Sequence, residues 1–420
     1  MQRLPFIVSP AWRTTLIGSL YAWQGLVAGF ALTAIPNHFA ALGASAAEVG
    51  AYVATVGLPW IVQPLWGPVV DRFGGLAMGR RRFWVVLAFL GSLLSLARLL
   101  NLPQEVAAVL PAIGAVFLVQ GAFAALADTA TDAMIIDHVP AGKLGAASAV
   151  TRIGFVGGSA VGAVLFAAML ASLGLRAATM LLLVIGAAIL SLPLLVREAE
   201  GDALLSPRAV GDRPHRHPRE PGRDTYRSLV SGRATWILLA ACFAVDAAAA
   251  AFAVPLGVDL IQARGWTAAT LSNAQAGAAL AAGTLGALLV GWWTDRIGVQ
   301  RALTILLCCC ALAHAMAGLL LAAEVPIFLR FGAPLALALS TIMPALVFVA
   351  LAPAIMRRSA GALAATRFAL FMAMLNMGSV AGAAVSAQIA ALIGIPNVGF
   401  AAGAVFAAAA LALPLALEER

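Results

Sequence analysis

Long apolar runs separated by short polar segments dominate this chain. Twelve of the runs are long enough to span a membrane, since about 20 mostly apolar residues cross the hydrocarbon core of a bilayer. The alternating ten-residue pattern of membrane β-strands is absent. The pattern therefore predicts an all-α polytopic membrane protein with 12 transmembrane helices, at roughly 14–36, 47–70, 84–101, 106–131, 145–171, 177–196, 234–257, 268–293, 302–322, 328–352, 360–388 and 396–417.

The longest polar interruption, residues 197–233, divides these helices six and six. It contains four prolines, eight arginines and six acids, with too little apolar material to fold alone. We therefore predict an N-terminal six-helix bundle at 1–196, a solvated cytoplasmic linker at 197–233 and a C-terminal six-helix bundle at 234–420.

The two halves also repeat each other. "LGASAAEVG" leads through the second helix into "GPVVDRFGG", and "RGWTAATLS" leads through the eighth into "GWWTDRIGV". Each half then places one arginine just inside its fifth helix, Arg152 and Arg367. Repeated halves predict two pseudo-symmetric bundles that alternate access to a site between them near the membrane midplane.

Composition and charge agree with a membrane location. The chain is 62% hydrophobic and 10% charged, and its mean hydropathy is +0.97. If both termini are cytoplasmic, 20 of the 26 Lys and Arg residues fall on the cytoplasmic side and only four on the opposite side. This asymmetry follows the positive-inside rule, so the net charge of +8 reflects topology and we expect no nucleic-acid partner.

The stretch "ALADTATDAMIIDH" (125–138) places three acids in the fourth helix. Asp128 and Asp132 are four residues apart and share a face, whereas Asp137 points elsewhere. Acids are expensive inside a membrane and usually functional there. Two carboxylates this close favour a shared proton or a partner such as Arg152. We predict a proton-coupling group of Asp128, Asp132 and Arg152, the alternative being a static pair that joins helices four and five.

Other polar residues within the predicted helices are candidates for the same pathway. Asp246 is an isolated acid midway along the seventh helix, and we assign it to the charge network. The predicted substrate cavity takes Tyr21, Gln24, Gln63 and Asn376. The glycines that recur every four residues in helix five predict a smooth ridge for close helix packing, formed by Gly154, Gly158 and Gly162.

The four cysteines, Cys242 and Cys308–Cys310, lie in apolar helices with no histidine or carboxylate at ligand spacing. We expect neither a metal nor a cofactor. An enzyme of the membrane surface is not indicated, because clustered catalytic acids or histidines are missing from the predicted interfaces.

The loop between helices two and three reads "GPVVDRFGGLAMGRRR", and "GWWTDRIG" is its weaker copy. This segment resembles the loop signature of the major facilitator superfamily. The resemblance implies that helices one, four, seven and ten line a cavity and that the loop forms a gate. We assign the gating motif to Gly67, Asp71, Arg72, Gly74, Asp295 and Arg296, and expect Arg80–Arg82 to meet lipid headgroups.

Four segments resemble the AmpG-like branch of that superfamily: "YAWQGLVAGF", "GLPWIVQPLWGPVVDR", "GRRRFW" and "TATDAMIID". This branch contains muropeptide permeases and single-polypeptide siderophore permeases. The chain departs from it at Val27, where a proline is usual, at Gln63, where lysine is common, and at Asp132 and Ala133, which replace Gln and Asp.

The resemblance implies a monomeric secondary transporter of the bacterial inner membrane, with substrate, protons and lipids as partners. Twelve helices leave no room for the two additional helices typical of muropeptide permeases, which favours proton-coupled uptake of a siderophore-like metabolite. A muropeptide permease and a proton-antiporting exporter of a siderophore or small amphipathic compound remain the alternatives.

Overall fold

The computed structural model describes residues 7, 9–72, 77–102, 106–139, 144–206, 208, 230–323, 326–359 and 364–418. Nearly all of them are helical. The α-helices are α1 (Pro10–Gly29), α2 (Ile35–Ala41), α3 (Ala46–Ile61), α4 (Trp66–Arg72), α5 (Arg82–Ala97), α6 (Val106–His138), α7 (Leu144–Leu195), α8 (Arg233–Gln262), α9 (Ala268–Ala281), α10 (Ala287–Ile297), α11 (Val299–Ala322), α12 (Pro326–Ser359), α13 (Ala364–Ile393) and α14 (Ile395–Glu418).

Eleven helical spans of the described residues are long and apolar enough to cross a membrane. The chain is thus a multi-pass membrane protein, as the apolar runs predicted. One span, Ala149–Leu195, has 47 residues and would be about 70 Å long as a straight helix. Gly174 interrupts it with a positive φ of 78°, a conformation that glycine adopts without steric strain.

Three predicted helices are interrupted in the structure, and in the last of them a π-helical turn at Ala282–Gly286 separates α9 from α10. Between α1 and α2 the helix widens into a π-helical turn, Phe30–Ala34. After α3, which contains Pro59, a 3₁₀ turn at Gln63–Leu65 separates it from α4. Proline lacks an amide donor and clashes with the preceding turn, which explains the second interruption.

The helices form two compact units. The first comprises Met1–Leu32 and Val62–Glu220, and the second comprises Thr33–Ile61 and Pro221–Arg420. The chain therefore passes from the first unit to the second within the π-helical turn, and returns immediately before the 3₁₀ turn. The division into bundles at 1–196 and 234–420 stays a prediction.

Small residues bring α1 and α7 into close contact within the first unit. A Cβ atom added at Gly158 would lie 2.1 Å from the carbonyl oxygen of Ala22, and one at Gly162 would lie 2.2 Å from that of Leu26. The predicted glycine ridge is confirmed. Behind it, Phe30 is fully buried and packs against Phe166 with ring centroids 4.6 Å apart.

The second unit has an analogous contact between α8 and α13. A Cβ at Gly378 or Gly382 would lie 2.1 or 2.2 Å from a carbonyl oxygen of α8. Around this pair the core is aromatic and aliphatic, and Phe252, Phe371 and Phe406 are essentially inaccessible to solvent.

The loop arginines correct one expectation from the sequence. Arg81 and Arg82 are 5% and 1% exposed, so they do not reach lipid headgroups. The Arg82 guanidinium donates hydrogen bonds to five backbone carbonyls, those of Met78, Pro193, Leu194, Ala203 and Leu204. Burial of a charged side chain is tolerated here because its donors are satisfied.

The first residues of the predicted linker are also packed rather than solvated. Glu198 is 7% exposed and accepts hydrogen bonds from the backbone amides of Arg81 and Arg82. Asp202 is 1% exposed and accepts a bond from the amide of Ala199. This segment supplies the Ala203 and Leu204 carbonyls to the Arg82 guanidinium and the Glu198 carboxylate to the backbone amides of Arg81 and Arg82.

Candidate transport site

The two acids of α6 lie in a hydrogen-bond network with α1 and the 3₁₀ turn. Asp128 is half-buried, and its Oδ1 accepts a hydrogen bond from Gln24 Nε2 at 3.1 Å. Its Oδ2 accepts a second bond from Gln63 Nε2 at 2.6 Å. Asp132 is exposed on the same face and accepts a hydrogen bond from the Tyr21 hydroxyl. Three predicted cavity residues therefore contact the two predicted proton-coupling acids.

Helix spacing and the helix interruption explain this arrangement. Tyr21 and Gln24 are three residues apart on α1 and share a face, as Asp128 and Asp132 do on α6. Gln63 begins the 3₁₀ turn, where the backbone leaves the direction of α3. The break at this point gives the Gln63 amide access to the carboxylate.

The partner expected for the acids is not there. Arg152 is exposed on α7, and among the described residues no ion pair connects it with Asp128 or Asp132. The static Asp–Arg pair considered from the sequence is therefore not formed in the described part of the chain. The two acids are instead held by neutral donors, an amide pair and a phenol.

A small cavity of about 30 Å³ lies against Asp128 within the first unit. Trp23 and Phe89 form part of its apolar wall, and their rings stack with centroids 5.2 Å apart. Its polar lining contains Tyr21, Gln24, Ser92, Gln120, Asp128 and Thr131. Asp128 thus borders a small, mostly apolar cavity that Ser92 of α5 also lines.

The sequence analysis did not identify two of these lining residues, Ser92 and Gln120, as candidates. Ser92 and Gln120 are 3% and 6% exposed, and Gln120 Nε2 donates to Ser92 Oγ at 3.2 Å. The sequence did contain a signal for Gln120, because a glutamine in an apolar helix is as unusual there as Gln24 is in α1. Only the tertiary contact assigns them to the surroundings of Asp128.

The remaining acids have separate environments. Asp137 accepts a hydrogen bond from Arg81 Nε at 2.9 Å, which supports its predicted orientation away from Asp128. Asp246 is half-buried on α8 in the second unit, and no described residue donates a hydrogen bond to it. Asn376, also in the second unit, donates to the Trp60 carbonyl at 3.4 Å.

The gating residues are only partly described. Among the described residues, a Cβ at Gly67 would meet no atom within 4 Å. Arg296 lies 3.9 Å above the Trp292 ring. The side chains of Asp71, Arg72 and Asp295, and all of Gly74, lie outside the described residues, so the latch stays a prediction.

A second polar cluster holds α2 against α8 and α9 within the second unit. Asn37 Nδ2 donates to Ser272 Oγ at 2.9 Å and to Gln275 Oε1 at 2.8 Å. Gln262 Nε2 donates to the carbonyls of Ala40 and Ala44. We call this group of hydrogen bonds the Asn37 cluster. No repeat or motif in the sequence indicates it.

Chemically, the first-unit site can hold and release a proton. A carboxyl and a carboxylate can both be accommodated by amide and hydroxyl partners, because these groups rotate to donate or to accept. A fixed cation would instead favour the charged form throughout. Of the described histidine, cysteine and acidic side chains, no three are grouped so as to hold a metal ion.

Comparison with known proteins agrees with these features. The sequence model of the Major Facilitator Superfamily matches residues 17–346. No curated protein sequence matches the chain. The fold is similar to the nucleoside transporter NupG, with a TM-score of 0.68, 15% identity and coverage of 97% of this chain and 99% of that one.

Two further solved transporters share the fold. A POT family transporter in complex with a thioalcohol-conjugated peptide gives a TM-score of 0.71 at 13% identity, covering 99% of this chain and 98% of that one. The human organic anion transporter MFSD10 gives 0.63 at 17% identity, covering 96% and 100%. With the family model matched over most of its length, the chain belongs to the major facilitator superfamily and transports a small-molecule substrate across a membrane.

Proposed function

We propose that this transporter couples proton movement to uptake of a siderophore-like metabolite across the bacterial inner membrane. Asp128 and Asp132 bind the proton, and the substrate occupies a cavity that includes Tyr21, Gln24 and Gln63. Asp246 contributes a third acid and Asn376 a polar contact.

One observation carries the proton-coupling proposal. Asp128 and Asp132 are four residues apart, and every hydrogen bond to them from the described residues comes from a neutral side chain. Two ionised carboxylates at this spacing repel each other in a medium of low dielectric constant. Because no described cation offsets that repulsion, uptake and release of a proton changes the energy of the site strongly.

The topology we propose has twelve helices in two pseudo-symmetric halves, with both termini and the 197–233 linker in the cytoplasm. The break in the helix at Gly174 supports a division of the 47-residue span into two transmembrane helices. The glycine contacts between α1 and α7, and between α8 and α13, support a repeated packing in the two halves. The distribution of Lys and Arg supports the orientation.

The siderophore class rests on the resemblance to the AmpG-like branch and on the helix number. A muropeptide permease and a proton-antiporting exporter are the alternatives, and one assay separates all three. Purified full-length protein is reconstituted into proteoliposomes with an inside-alkaline pH gradient. The panel contains iron-loaded siderophores, iron-free siderophores and anhydromuropeptides.

Accumulation of a siderophore that stops when the gradient is collapsed is the expected result. Accumulation of anhydromuropeptides alone would identify the first alternative. Gradient-driven loss of preloaded compound, without uptake, would identify an exporter. Absence of any pH dependence would refute proton coupling.

The acids are tested with three single variants, Asp128→Asn, Asp132→Asn and Asp246→Asn. Each should abolish gradient-driven accumulation, since an amide cannot bind and release the proton. Counterflow, the exchange of external labelled substrate against internal unlabelled substrate, needs no net proton movement and serves as the folding control. Wild-type accumulation by all three variants would remove these acids from the coupling mechanism.

A further inference from the structure

We propose that the cavity beside Asp128 is a water-binding site, which hydrates this carboxylate when its proton leaves. The inference deepens the proposed proton coupling and rests on it for its functional part. Its structural part, the binding of water, can be measured independently of transport.

The cavity has the size of a water site, and six of the residues that line its mostly apolar wall have polar side chains. A buried water needs roughly 10–15 Å³ and two to four polar partners. The volume of about 30 Å³ accommodates one or two molecules, and the lining offers the side chains of six polar residues. Wholly apolar cavities of proteins stay dry, so water in this cavity depends on hydrogen bonds to its few polar side chains.

Two buried residues that line the cavity, Ser92 and Gln120, have hydrogen-bonding groups that no described residue uses. Gln120 uses one amide hydrogen, on Ser92 Oγ, and among described residues nothing donates to its Oε1. The Ser92 hydroxyl accepts that bond but donates to no described acceptor. Both side chains are at least 94% buried. Buried polar groups almost always find a partner, and water is the one that fits here.

Asp128 has capacity left for the same water. An ionised carboxylate offers about four acceptor sites, and Gln24 and Gln63 occupy two of them. The ionisable groups facing it are Asp132 on α6 and Tyr21 on α1, while the described lining from α5 is neutral. A cavity water donates its O–H to the carboxylate as the proton departs, and accepts from Ser92 or Gln120 with its oxygen.

This arrangement makes Ser92 and Gln120 positioning residues. They act on Asp128 through the water and do not touch it in the described contacts. Their effect should therefore appear in proton-coupled transport and in water occupancy, but not in exchange of substrate alone.

Water occupancy is tested by X-ray radiolytic labelling of the full-length protein in detergent, read by mass spectrometry. Water bound beside a side chain labels it even when bulk solvent cannot reach it. Trp23 and Phe89 are only 5% and 2% exposed and line the cavity, so they are the reporters. We expect fast labelling of both in the wild type.

Two variants remove the water in different ways. Ala124→Val adds methyl groups to a residue that lines the cavity, and Gln120→Leu deletes a polar partner with little change in size. Each should lower labelling of Trp23 and Phe89 several-fold. Ala122→Val, on the same helix but outside the cavity lining, is the matched control and should label as the wild type does.

The same variants are then assayed in proteoliposomes. We expect about a tenfold loss of gradient-driven accumulation in Ala124→Val and Gln120→Leu, the size of one hydrogen bond to a charged group, with counterflow retained. Slow labelling of both reporters in the wild type overturns the water site. Fast labelling with wild-type accumulation in both variants overturns its role, whereas pH-independent transport by the wild type refutes the proposed function and leaves the water site standing.

Discussion

Replacement of Gly158 by alanine tests the packing that holds α1 against α7. The added Cβ would lie 2.1 Å from the Ala22 carbonyl oxygen and 2.9 Å from its carbon. Carbon–oxygen contacts of this kind normally begin near 3.3 Å, so the two helices must separate by about 1 Å. The obstacle is backbone, which cannot rotate away as a flexible side chain does.

The magnitude follows from two opposing terms. Overpacking of this degree destabilises by about 1–3 kcal/mol, and the gap opened along α1 weakens neighbouring contacts further. Alanine also favours a helix over glycine by up to about 1 kcal/mol. The net expectation for Gly158→Ala is a loss of about 1–2 kcal/mol of unfolding free energy.

The adjacent glycine provides a matched control. A Cβ at Gly157 meets no atom within 4 Å, so Gly157→Ala keeps only the helix-favouring term. Thermal unfolding in detergent, followed by tryptophan fluorescence, should therefore show a lower Tm for Gly158→Ala and an unchanged or higher Tm for Gly157→Ala. Equal Tm values for the two variants would refute the packing argument.

Three further predictions concern the Asn37 cluster, Arg82 and Glu198. Asn37 and Ser272 belong to the two halves that we propose move in alternating access. A disulfide between Asn37→Cys and Ser272→Cys, in a background without the native cysteines, should therefore block transport until a reductant is added. Unimpaired transport by the cross-linked protein would contradict this prediction. Arg82→Gln should cost more than about 3 kcal/mol of unfolding free energy, because several buried carbonyls lose a charged donor; wild-type Tm in detergent would contradict it. Burial raises the pKa of Glu198 above its ordinary value near 4.5, so the stability that its protonated form contributes is complete below pH 4.5 and is lost as the pH rises through the folded pKa. Measured from pH 4 upward, the Tm of the wild type should fall relative to that of Glu198→Gln. Parallel curves for the two proteins would refute the assignment.

The sequence anticipated much of the candidate site, but not its bonding. Asp128, Asp132, Tyr21, Gln24 and Gln63 stand out because polar residues are costly in apolar helices. Their pairing depends on how α1, α6 and the 3₁₀ turn are rotated, and no periodicity in the sequence fixes that rotation. The sequence also suggested Arg152 as a partner, yet no described ion pair joins it to either acid.

Prolines in the sequence lie close to two of the helix interruptions. Pro59 and Pro64 indicate a break near Gln63, since proline removes backbone hydrogen bonds. The π-helical turn at Phe30–Ala34 contains no proline and no glycine. Pro36, the second residue of α2, has no amide hydrogen to donate back into that turn, so a local signal for the interruption lies just beyond it.

By itself the sequence determined the class of protein, the approximate positions of the apolar helices and the glycine ridge. These depend on hydrophobicity, helix period and side-chain size, which are local properties. Only the tertiary structure decided that Asp128 is held by two glutamines, that a small cavity adjoins it, and that Arg82 and Glu198 are both buried. Those outcomes depend on which distant donors and acceptors meet, because a buried polar group takes whatever partner the packing of the helices brings within hydrogen-bond distance.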